Sequence, residues 1–184
     1  MPRARPRAFG HLRTMARREG IMVQVRVAGV ALDATGQHVI LLQPIDALPS
    51  ESKLLPIWIG TMEATAIMVA IEGAETPRPL THDLLRTTLE ALGATVERVE
   101  VTRIDDGTFY AEITVDAGGA VHRIDARPSD AVALASRTAA PIFVADEVLE
   151  EAGVEDVITE AEAEADVEEF SKFIDEVDPD DFKE

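Results

Sequence analysis

Two segments of this 184-residue chain place a guanidinium, a hydroxyl and a carboxylate within a few residues of one another. They are Arg78-Pro79-Leu80-Thr81-His82-Asp83 and Asp125-Ala126-Arg127-Pro128-Ser129-Asp130. In each, Arg-Pro precedes a hydroxyl residue and an aspartate, and an apolar helical pattern follows. Proline fixes an extended approach, and Thr81 or Ser129 is placed to cap the helix behind it. A helix start gathers unpaired N–H groups and the positive end of the dipole, so it suits a phosphate. Arg78 and Arg127 are then candidate phosphate clamps, with Thr81 and Ser129 as further substrate contacts. Asp125 and Asp130 are a candidate carboxylate pair for Mg²⁺ or Mn²⁺. His82, with Asp83 beside it as a second carboxylate, is a candidate general base, and Glu63 at an earlier helix start is another. The same residues have a structural use: Glu63 and Asp83 complement helix dipoles, and Asp125, Arg127, Ser129 and Asp130 can close one capping network.

Other chemistries are excluded. The chain has no cysteine, which removes disulfides, thiolate zinc sites and thiol catalysis and fits a reducing, cytoplasmic setting. No Walker A loop, HExxH, dinucleotide-binding glycine pattern or nucleophile elbow is present. Ser129 has no histidine adjacent in sequence. Trp58 lies in an apolar strand and is expected in the core. His38 and His122 lie in strands without metal-spaced partners and receive no role. No apolar run approaches the roughly eighteen residues of a membrane span.

The net charge of −18 is unevenly spread. Residues 1–21 carry six Arg and one Glu, residues 146–184 carry eighteen acids and two Lys, and residues 22–145 are net −7. A nucleic-acid binder usually shows a basic footprint. Here any phosphate substrate needs a local arginine cluster or a bridging cation.

The elements that must position these residues follow from periodicity. Residues 1–21 read as a basic, disordered arm. Alternating Val23, Val25 and Val27 begin a strand; returning strands are expected at 38–43 and 54–59. Helices are expected at 62–71, from Thr81 to Gly93, and at 129–138, with Leu84, Leu85, Thr88, Leu89 and Leu92 at helical spacing in the second. Strands are expected at 96–104, 108–115, 121–126 and 141–144, with Asp105-Asp106-Gly107 as a hairpin turn. Residues 151–184 read as an acidic linker and an amphipathic helix carrying Phe170, Phe173, Ile174 and Val177. The fold class is therefore α+β: mixed and antiparallel sheets, three main helices and a C-terminal amphipathic helix around a domain at 22–150.

The assembled blocks resemble the bifunctional nuclease domain family. They are Leu55-Pro56-Ile57-Trp58-Ile59-Gly60, Glu63-Ala64, Arg78 to Leu85, Thr108-Phe109-Tyr110-Ala111, Asp125 to Ala131, and Pro141-Ile142-Phe143-Val144, in that order. The resemblance covers roughly residues 22–150. It implies an α+β domain of two related halves, homo-oligomers with a dimer favoured, and DNase and RNase activity. It transfers no catalytic assignment. The first reading is thus a divalent-metal-dependent nuclease acting on DNA and RNA. The second is a non-enzymatic oligomeric module that binds an anion or a protein through the same Arg-Pro loops. Convergence of Glu63, His82, Asp125 and Asp130 favours the enzyme; dispersal favours the module.

Overall fold

The computed structural model describes residues 20–46 and 53–155. The basic arm, apart from Gly20 and Ile21, and the amphipathic tail helix lie outside the described residues. Three strands open the fold: β1 (Met22–Leu32), β2 (His38–Pro44) and β3 (Lys53–Ile59), followed by α1 (Thr61–Ile71). α2 (Thr81–Ala91) leads to three more strands, β4 (Ala94–Asp105), β5 (Thr108–Ala117) and β6 (Ala120–Ala126), followed by α3 (Pro128–Thr138). β7 (Ile142–Ala145), α4 (Asp146–Ala152) and β8 (Val154–Glu155) complete it. The β4–β5 turn falls at Asp106 and Gly107, both with positive φ, which matches the twist of the strands it joins. Chain pairing continues past 150, because Val154 and Glu155 pair with Leu54 and Lys53.

The eight strands form one sheet in the order β6-β5-β4-β7-β1-β2-β3-β8. Reading outward from β7, each side presents its first, second and third strand in turn. β7 runs antiparallel to β1 and parallel to β4, so β1 and β4 run in opposite senses. That is the arrangement of a two-fold axis through β7. The related halves are therefore β1–β3 with α1, and β4–β6 with α3. The start of α3 corresponds to the start of α1, not to that of α2. The likeness between Arg78-Pro79 and Arg127-Pro128 is a likeness of two helix starts that the topology does not make equivalent.

One buried cluster joins the halves. It contains Ile40, Leu42, Leu55 and Ile57 from one side, Val99, Val101, Ile113 and Val115 from the other, Ile67 of α1 and Ala131 to Ala135 of α3. Strand alternation decides what that core excludes. Ile57 is in the core, so Trp58 points the other way; it is 53% exposed, against expectation, and its indole N–H donates to Asp33 at 2.9 Å. α2 departs further. Of its expected stripe Leu89 packs against the core, but Leu84, Leu85 and Leu92 are exposed at 61%, 40% and 76%, while His82 is its buried residue. The surface that α3 offers α2 carries Asp130 and Arg137, so α2 turns its polar side inward. Among the described residues no helix is long and apolar enough to cross a membrane.

Candidate functional site

Three helix starts meet at one polar junction. α3 opens at Pro128, whose missing N–H costs nothing in the first turn. Arg127 is therefore the N-cap residue, and Ser129 is the buried second residue rather than the cap. Likewise Leu80, not Thr81, is the N-cap residue of α2, and Thr81 is exposed. Neither hydroxyl makes a capping hydrogen bond.

Arg127 organises the junction. Its Nε donates to Asp130 Oδ2 at 2.7 Å and its Nη2 to Asp130 Oδ1 at 3.0 Å, a forked pair. Its Nη1 donates to Glu63 Oε1 at 2.9 Å. Glu63 and Asp130 are the third residues of α1 and α3, so the arginine of one half reaches the acid at the equivalent position of the other. Three of its five N–H groups are thereby used, leaving two on a side chain that is 64% exposed. His82, from α2, completes the chain: its Nε2 lies 3.2 Å from Asp130 Oδ1. An ionised Asp130 can only accept, so Nε2–H donates; Nδ1 is buried and makes no hydrogen bond.

Burial acts to raise the Asp130 carboxyl, but the hydrogen bonds and charges of Arg127 and His82 outweigh it and hold the pKa below its ordinary value. The hydrogen bonds from Arg127 to Asp130 and Glu63 hold the guanidinium charged well beyond its usual range.

Gly60 gives Glu63 its place. It is the N-cap residue of α1, and a Cβ there would collide with Glu63 Oε2. The missing side chain lets the carboxylate fold back toward Arg127. Gly60→Ala is expected to expel the carboxylate while leaving the fold intact, because Gly60 has φ −73° and ψ 160°, which alanine adopts freely. The expected result is loss of the Glu63–Arg127 ion pair with a thermal midpoint moved by only a few degrees. A much larger fall would show that Gly60 serves the fold and not only the placing of Glu63.

The other expected residues lie elsewhere. Asp83 turns from the junction: its Oδ2 accepts the Leu80 N–H at 2.8 Å and its Oδ1 accepts Arg137 Nε at 2.6 Å. Arg78 is exposed in the loop before α2. Asp125 does not join Asp130. It pairs in register with Glu112, between core residues Ala111 and Ile113, so it sits on the sheet face turned away from the core. Both oxygens of Asp130 are taken by Arg127 and His82. Among the described residues no group of three or more His, Asp or Glu side chains is arranged to hold a metal ion. The residues present do not fit an Mg²⁺ or Mn²⁺ cradle. Sequence reasoning missed Gly60, Arg86 and Arg137. Arg137 left a signal, standing two turns after Asp130 in a helix with no other charged residue.

Fold and junction together define an α+β domain with an exposed arginine braced by carboxylates from both halves. The chain belongs to the bifunctional nuclease domain family, which matches residues 41–157. It is 41% identical over 169 residues to an uncharacterized protein of Mycobacterium tuberculosis, covering 88% of this chain and 99% of that one. It is 26% identical over 115 residues to bifunctional nuclease 1 of Oryza sativa subsp. japonica, covering 61% of this chain and 34% of the plant protein. It is 30% identical over 94 residues to bifunctional nuclease 2 of Arabidopsis thaliana, covering 50% and 29%.

Proposed function

We propose that this chain hydrolyses phosphodiester bonds of DNA and RNA at the junction of the three helix starts. The observation that carries the reading is Arg127, braced on both sides and still holding two free N–H groups on an exposed side chain. Those groups suit two non-bridging oxygens of a phosphodiester, where charge builds as water attacks. Glu63 Oε2 makes no hydrogen bond among the described residues and is the acceptor for the proton of that water. The water oxygen bonds to phosphorus, the bond to the leaving oxygen breaks, and solvent returns a proton to it. His82 and Asp130 act through Arg127, fixing its plane. Membership of the family and the names of the plant relatives support the reading.

The test is hydrolysis of DNA and RNA by rigorously purified protein, beside Arg127→Gln prepared identically, with and without EDTA. Activity lost in the variant supports the reading. Equal activity in both preparations removes the junction from the chemistry. Dependence on Mg²⁺ or Mn²⁺ is read from the EDTA arm alone. The second reading, a non-enzymatic binding module, is favoured by the engagement of Arg127 with two acids at rest. Substrate binding without turnover would select it.

The exposed leucines of α2 support a homodimer. Leu84, Leu85 and Leu92 give a self-complementary apolar stripe, which an isologous interface uses twice. Replacing Leu84 and Leu92 together with lysine is expected to halve the mass measured by light scattering. A wild-type mass of one chain would remove the dimer.

A further inference from the structure

A second cluster of charge lies further along the α2–α3 seam. Arg137 stands seven residues after Asp130, about 10 Å along the helix axis. Its side chain is 4% exposed. Nε donates to Asp83 and Nη1 donates to Ala133 O at 2.9 Å, while Nη2 is buried and makes no hydrogen bond. Arg86, from α2, donates through Nη1 to Arg137 O at 3.4 Å. Its Nε is also buried without a hydrogen bond; the nearest carboxylate oxygen, of Glu90, is 3.7 Å away. Arg78 approaches from the loop between Pro77 and Pro79 and makes no ion pair among the described residues. All three arginines line one open cleft of about 460 Å³ between the end of α1, that loop and the α2–α3 seam.

The cleft has one acid to set against three bases. That acid, Asp83, is committed to the Leu80 N–H and to Arg137. The hydroxyls along the wall are committed as well: Thr87 donates to Asp83 O, Ser136 to Val132 O and Thr76 to Arg78 O. What the cleft offers a ligand is therefore guanidinium N–H. In a chain of net charge −18, a cleft lined with an excess of arginine stands out. The exposed guanidinium of Arg78, the half-exposed one of Arg86 and the buried charge of Arg137 suit a compact anion with several oxygens more than a carboxylate with two.

We infer that this cleft binds a phosphate group, held by Arg78 and Arg86 over the charge of Arg137. The inference stands apart from the proposed hydrolysis, since binding is read without turnover. The phosphate is either one in a nucleic-acid strand running along the seam from Arg127 or one on a small phosphorylated molecule.

The experiment titrates the full chain with inorganic phosphate by calorimetry and thermal shift, with sodium chloride at matched ionic strength as reference. Every titration is repeated in the Arg127→Gln background, so that phosphate at the helix junction is not counted. Arg78→Gln and Arg86→Gln alter exposed or half-exposed side chains, and circular dichroism checks their fold. The expected result is saturable stabilisation by phosphate, weakened about ten-fold by each substitution and abolished by both. An oligonucleotide without terminal phosphates that displaces the phosphate places the group in a strand. Displacement by a nucleoside monophosphate and not by that oligonucleotide places it on a small molecule. The inference is overturned if phosphate does no more than chloride, or if the double variant responds as the parent does.

Discussion

Arg127→Gln is expected to lower hydrolysis of DNA and RNA by about 10²- to 10³-fold, the usual cost of removing a donor that meets developing charge. The loss should fall on kcat more than on KM, because the two free N–H groups tighten on the phosphorane-like state. Arg127→Lys should not rescue it, since a single ammonium cannot span Asp130, Glu63 and substrate together. Asp130→Ala is expected to follow Arg127→Gln, because it releases the fork that fixes the guanidinium. Asp125→Ala is expected to keep its activity. The sequence pairs Asp125 with Asp130 as joint metal ligands, and the sheet sets Asp125 on the far face. Activity measured in these four purified variants decides the matter; full activity in Arg127→Gln would remove the junction from the chemistry.

Asp83→Ala is expected to have the largest effect on stability. It leaves Arg137, with a side chain 4% exposed, without its carboxylate partner, and removes the acceptor of the Leu80 N–H. Breaking such a pair from one side costs about 3 kcal/mol, or a fall of about 10 °C in thermal midpoint for a domain of this size. Asp83→Ala combined with Arg137→Met should recover part of the loss, because no charge is then left unpaired. The same pair sets a pH dependence. Burial acts to raise the Asp83 carboxyl, but the Leu80 N–H and the hydrogen bonds and charges of Arg137 and Arg86 hold it below its ordinary value. Asp130 is depressed too. The unfolded chain therefore takes up protons first as pH falls. Stability from both carboxylates is whole above about pH 4 and is lost as pH drops further, through their folded values. Asp83→Asn should flatten the acid limb of a plot of midpoint against pH. An unchanged limb would show that Asp83 contributes nothing there.

Most elements were legible because periodicity and turn chemistry agree. Val23, Val25 and Val27 alternate, and Asp106-Gly107 marks its hairpin. The errors have one physical origin. Sequence shows which residues share a face but not which face another element will cover. In α2 the leucines give the cleaner stripe, yet only Leu89 packs on the core, and Asp130 and Arg137 on α3 draw in His82, Asp83 and Arg86. Trp58 and Asp125 have the same explanation: one step along a strand separates them from Ile57 and Ala126, and that step changes the face. At the site, the grouping of Arg127 with Asp130 was legible because both lie within four residues. The bond to Glu63 spans sixty-four positions and depends on how two halves meet, which no local pattern carries. α4 is only seven residues long and begins an acidic stretch, so composition hid it.

β7 has four residues, near the end of the domain, yet among the described residues it is the strand that joins the two three-stranded units into one sheet. On the ribosome, each meander can fold as soon as it emerges, since its pairings are local. The strand that joins them in the sheet comes after both. Glu63 and Arg127 belong to different meanders, so the junction forms only once both have emerged and packed on one another. The order of synthesis thus makes the junction a late product of assembly, because Arg127 follows all six meander strands.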